Sequence, residues 1–88
     1  MNYTNDFLDY AHDSSFKNRI TLASSNSCAC FYCLQTFSPS VIEEWIEDKD
    51  ADTAVCPFCG IDSVISEKSG LPISDSNFLK QMQERYFN

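Results

Sequence analysis

The sequence predicts a small α+β domain: two cysteine knuckles on short β-hairpins, with flanking N-terminal, central and C-terminal helices. Three observations predict it. The chain holds two C-x-x-C pairs, Cys30 and Cys33 in "CFYCLQTF" and Cys56 and Cys59 in "VCPFCGIDSV". Stretches with apolar residues at helical spacing precede, separate and follow them. The 88 residues fit one domain, 1–88, and leave no room for a second. Within it we expect a helical N-terminal segment over 3–24, a cysteine-bearing ribbon over 28–66 and a C-terminal helix over 74–87.

The N-terminal segment places Phe7, Leu8 and Ala11 on one helical face, with Thr4 or Asn5 as the cap. A second short helix is expected to start at Ser14 or Ser15, carrying Phe16 and Ile20 four residues apart. "SSNS" at 24–27 reads as a loop. The flanks of Cys30 and Cys33 are aromatic and β-favouring, which suits a short hairpin. "SPSVIEEWIEDKD" then reads as the central helix: Ser38 caps it, Pro39 suits the first helical position, and Ser40 with Glu43 offers an alternative capping box. Val41, Ile42, Trp45 and Ile46 form its apolar stripe, opposite Glu43, Glu44, Glu47 and Asp48. Strands are expected near 53–55 and 63–66, on either side of the second cysteine turn. "EKSGLP" is a turn, and "SDSNFLKQMQERYF" is the last helix, capped by Ser74 or Asp75, with Phe78, Leu79, Met82 and Tyr86 on one face.

Chain length and charge narrow the chemistry. A chain this short buries a limited core and benefits from a staple. The N-terminus "MNYTNDFLDYAHDSS" has neither a positive cluster nor an apolar run, so a cytoplasmic protein without a membrane span is expected. In that compartment paired cysteines are more often metal ligands or redox groups than disulfides. Thirteen acids face six bases, a net charge of −7. Phosphate backbones and anionic membranes require clustered Lys and Arg, which are missing, so neither nucleic acid nor membrane is an expected partner; a basic protein is.

The four paired cysteines point to zinc. Two residues between cysteines let one tight turn aim both sulfurs at a point, and turn N–H groups steady the thiolates. Pro57 presets the second turn, and Gly60 permits a left-handed backbone just after it. Two facing knuckles supply four thiolates at about 2.3 Å in a tetrahedron, the arrangement of a zinc ribbon. The 22 residues between the pairs slightly exceed the usual interval of about 15–20, and a three-turn helix accounts for the excess. Four protein ligands leave no open position, so the metal is expected to be structural, contributing on the order of 10 kcal/mol to folding. Iron also suits four thiolates. Two disulfides fit a cytoplasmic chain poorly, and neither pair has the βαβ context of a thioredoxin-like redox site. Cys28, two residues before Cys30, is expected to be a packed thiol rather than a ligand.

No Ser-His-Asp order, phosphate loop or H-E-x-x-H accompanies the cysteines, and the lone His12 reads as a surface residue, so no catalysis is expected. The segment 43–52, "EEWIEDKDAD", holds six carboxylates (Glu43, Glu44, Glu47, Asp48, Asp50, Asp52) against one lysine, −5 of the net −7. Such a run is either a solvated face or a surface that steers a basic partner. Trp45 and Tyr32 nearby are residue types that anchor interfaces and also fill cores. "DKDADTAVC" lacks the Gly and the terminal Glu of a calcium loop.

"CFYCLQTFSPSVIEEWI", "TAVCPFCGIDSVIS" and "LPISDSNFLKQMQERYF" together resemble a family of small bacterial cytoplasmic proteins with two zinc-ribbon-like knuckles, over about residues 7–88. The resemblance implies Cys30, Cys33, Cys56 and Cys59 as the metal ligands. Some members lie beside Rhs-type polymorphic toxins and look like their immunity proteins. The role this implies is a binding protein that blocks a basic toxin domain through its acidic and aromatic surface. The alternative is a zinc-ribbon adaptor in translation or transcription machinery.

Overall fold

The computed structural model describes residues 3–47 and 49–87. Helix α1 spans Asn5–Asp13; Thr4 caps it, its hydroxyl accepting the Phe7 N–H at 3.1 Å. Leu8 and Ala11 are buried from it. Ser14 and Ser15 do not begin the second helix, because their hydroxyls donate back to the Tyr10 and His12 carbonyls and close α1 instead. Lys17 then turns through a left-handed backbone, φ 51°, and α2 occupies only Arg19–Ala23. Ile20 is left 80% exposed, so its four-residue spacing from Phe16 marks no buried face.

Five short strands follow: β1 Cys28–Cys30, β2 Thr36–Phe37, β3 Trp45–Ile46, β4 Thr53–Ala54 and β5 Val64–Ser66. They form a three-stranded sheet in the order β2-β1-β5 and a two-stranded sheet, β3-β4, all antiparallel. The first knuckle therefore sits on a hairpin, as expected. The second does not: β4 pairs with β3 while β5 pairs with β1, so its two flanks belong to different sheets.

The central helix is not formed. Ser38 accepts the Ser40 N–H and Pro39 starts a single 3-10 turn, Pro39–Val41, which ends as Ile42 turns extended (φ −74°, ψ 123°). Trp45–Ile46 then pairs with Thr53–Ala54. Val41, Ile42 and Ile46 are β-branched and favour an extended backbone, and cross-strand pairing prevails over a helix with no facing surface to bury its stripe. Only Ile42 is fully buried, with Trp45 half-buried and Val41 and Ile46 exposed.

Helix α3, Ser76–Phe87, starts after Asp75, whose carboxylate accepts the Asn77 N–H at 2.9 Å. Phe78, Leu79 and Met82 are buried from it. Asp9 ties α1 to α3 by accepting from Arg85 at 2.9 and 3.2 Å and from the Tyr86 hydroxyl. Among the described residues no helix is long and apolar enough to cross a membrane.

The larger sheet divides two cores. Side chains alternate across a strand, so Ala29 of β1 and Ile65 of β5 face one way, and Cys28, Cys30 and Val64 the other. Ala29 and Ile65 pack with Leu8, Ala11, Phe78, Leu79 and Met82 of α1 and α3. Cys28, Cys30 and Val64 pack with Leu22, Ile42, Ala54 and Cys56. Asn18 joins the two sheets: its side-chain amide donates to the Val64 carbonyl at 2.8 Å and accepts from the Ala54 N–H at 3.1 Å.

Candidate metal centre

The two knuckles are built alike. In each, the first cysteine closes the turn with its own backbone: Cys30 N–H donates to Gln35 O at 3.0 Å, and Cys56 N–H to Ile61 O at 2.9 Å. The residue after the second cysteine returns a bond, Leu34 N–H to Cys30 O and Gly60 N–H to Cys56 O, both 2.9 Å. Both of those residues are left-handed, Leu34 at φ 66° and Gly60 at φ 79°. Glycine adopts that backbone freely; leucine pays a steric cost, and Leu34 packs against the helix-side core. The third residue of each turn aims its N–H at the first sulfur, Tyr32 to Cys30 and Phe58 to Cys56, both 3.4 Å.

These turns bring Cys30, Cys33, Cys56 and Cys59 together, with all four sulfurs within 4.8 Å of one another. Across the two knuckles Cys30 lies 3.6 Å from Cys59, and Cys33 3.7 Å from Cys56. Sulfurs about 2.3 Å from a shared ion in a tetrahedron stand about 3.8 Å apart, whereas disulfide sulfurs stand about 2.05 Å apart. All five cysteines are free thiols. The spacing and the donor set suit a metal ion held by four thiolates.

The cysteines of the cluster differ in their surroundings. Burial pushes the Cys33 thiol up to about 11, against the opposing Gln35 N–H, and raises Cys59 further. Burial pushes Cys30 up too, but the Ser63 hydroxyl and the Cys33 and Tyr32 N–H groups outweigh it and leave that thiol below its ordinary range. Four thiolates this close repel one another, and a bound dication reverses that repulsion and deprotonates them. Ser63, 2% exposed, lies 3.1 Å from the Cys30 sulfur. Its sequence signal is slight: a small hydroxyl beside β5 where an apolar residue would serve the core equally well.

Cys28 stands outside the four. It lies on the same side of β1 as Cys30, fully buried, and its thiol donates to the Phe37 carbonyl at 3.4 Å. Burial, then repulsion from Cys56 and Cys30, pushes it up to about 12. His12 is also apart from the cluster; it is half-buried rather than on the surface, stacked on Tyr86 with ring centroids 4.1 Å apart.

No protein-family model, curated protein or solved structure matches the chain.

The acidic segment runs along β3 and the β3–β4 connection rather than one helix face. Glu43, Glu44, Glu47 and Asp50 are exposed and Asp52 is half-buried; Asp48 lies outside the described residues. Two of these carboxylates are engaged within the chain, Asp50 with Lys17 at 3.4 Å and Asp52 with Arg19 at 2.7 Å. The Arg19 guanidinium also lies over the Trp45 ring, 4.6 Å from its centroid. Glu43 and Glu44 line a cleft with Val55, Cys56, Pro57, Phe58 and Gly60 of the second knuckle. Tyr32 is exposed at the tip of the first knuckle, its ring against Phe87 at 4.7 Å.

Proposed function

We propose that this chain is a non-catalytic, zinc-stabilised protein-binding module that serves in the cytoplasm as an immunity protein, blocking a basic bacterial toxin domain by steric occlusion. The observation that carries the reading is the four-sulfur cluster with its acidic neighbour. Four protein thiolates saturate a tetrahedral zinc, which makes the ion a fold-stabilising element with no position left for substrate. The acidic segment is anchored to that element, with the Val55 N–H donating to the Glu44 carbonyl at 3.1 Å, next to Cys56. The ion thus holds a patch of negative charge in a fixed shape. Such a patch speeds encounter with a positively charged surface, and exposed aromatics beside it supply anchors.

Metal analysis of freshly purified protein should find about one zinc per chain, bound by all four paired cysteines. Co-expression with a basic toxin domain encoded by a neighbouring gene, where gene neighbourhood reveals one, should restore growth and yield a stable complex. Failure to rescue, together with co-purification on ribosomes or polymerase, replaces the immunity reading with that of a zinc-ribbon adaptor.

A further inference from the structure

The chain brackets a guanidinium between an aromatic ring and a carboxylate in two places. Arg19 lies over Trp45 and pairs with Asp52. Arg85 lies over Tyr86, 5.6 Å from the centroid, and pairs with Asp9. At a third place an exposed ring and acids share a cleft, with no cation among the described residues that line it. Phe58, 60% exposed, shares a cleft of about 240 Å³ with Glu43 and Glu44, and among the described residues neither glutamate is in an ion pair. Phe37 meets the Phe58 ring edge-on, with centroids 5.4 Å apart. Phe58 also sits on the second knuckle, its N–H donating to the Cys56 sulfur at 3.4 Å, so the cleft adjoins the metal centre. The equivalent position of the first knuckle, Tyr32, lies against Phe87 in a second cleft with Gln83 and Glu84, and there its carbonyl accepts from Gln83 at 2.6 Å.

We infer that the cleft between Glu43–Glu44 and Phe58 seats an arginine side chain of a basic protein partner. This rests on the protein-binding reading above and narrows it to one contact. A planar guanidinium stacks on an aromatic ring while its N–H fork reaches carboxylates; a lysine ammonium does the first less well and cannot do the second in bidentate fashion. Of the acidic segment, Glu43 and Glu44 make this contact, while Asp50 and Asp52 brace the hairpin against Lys17 and Arg19.

The probe is a short blocked diarginine peptide titrated at low salt into the zinc-loaded, 15N-labelled full chain. Amide shifts should centre on Glu43, Glu44, Phe58 and Gly60. F58A and E44Q should each weaken binding about two- to fivefold, and E47Q, which removes the same charge outside the cleft, clearly less. All three sites are exposed, and an unchanged charge-transfer spectrum of the cobalt-substituted variants verifies the fold. Shifts centred on 50–52, a dilysine peptide that binds as tightly, or an F58A chain that binds like the parent each overturn the cleft assignment while leaving a basic partner in place. No binding of the diarginine peptide anywhere overturns both.

Discussion

Cys28 and Cys30 provide a matched pair for testing the metal centre. They are two residues apart on one strand, both fully buried and both facing the same core. Only the Cys30 sulfur belongs to the four-sulfur cluster; the Cys28 thiol is spent on the Phe37 carbonyl. Structural zinc in small domains is worth about 10–16 kcal/mol, or about 3–4 kcal/mol for each of four thiolates, which is two to three decades of affinity. Cys30→Ser should therefore lower zinc affinity by about 100- to 1,000-fold and collapse the melting transition. Cys28→Ser keeps a donor for Phe37 and loses only packing, so it should cost about 1 kcal/mol and leave affinity within about twofold. Competition with a chromophoric chelator reads the affinity, and thermal denaturation of zinc-loaded protein reads the stability. A Cys28→Ser chain that loses zinc by decades, or a Cys30→Ser chain that holds it as the parent does, refutes the assignment.

Three further outcomes follow from single contacts. An added Cβ at Gly60 would meet nothing within 4 Å, so Gly60→Ala should cost only the left-handed backbone, about 1–2 kcal/mol in denaturant titration of the zinc-loaded chain. Asn18→Ala strands the buried Ala54 N–H and Val64 carbonyl and should destabilise by about 2–4 kcal/mol in the same assay. Ser63→Ala removes the hydroxyl that steadies the Cys30 sulfur; zinc affinity should fall about 10- to 100-fold, with a shift of the sulfur-to-metal charge-transfer band in the cobalt form.

The parts of the fold legible in the sequence were those decided by neighbours along the chain. The C-x-x-C spacing sets each turn whatever surrounds it, and Thr4 and Asp75 cap helices through N–H groups two or three residues away. The misread parts depend on distant partners. Val41, Ile42, Trp45 and Ile46 satisfy a helical stripe, yet the strand formed at 45–46 exists because Thr53–Ala54 returns beside it. Asn18 falls inside the expected second helix, but its amide bonds reach 36 and 46 positions along the chain. Leu34 gave no sign of a left-handed backbone, since only comparison of the two folded knuckles shows that it occupies the place Gly60 holds in the other.

The strand "CAC" explains why an ion on one side of the sheet matters to the other. With a period of two, β1 commits Cys28 and Cys30 to the sulfur side and Ala29 to the helix side. Phe31, next along the chain, is buried with α1 and α3. Yet its backbone N–H donates to the carbonyl of Ser63, the residue whose hydroxyl meets Cys30. A three-residue strand with Cys30 on one side and Ala29 on the other cannot lose its metal-side anchor without loosening the packing behind it. The two cores should therefore melt together: on chelation of zinc, the tertiary signals of Phe31, Tyr86 and Trp45 should disappear in one transition rather than two.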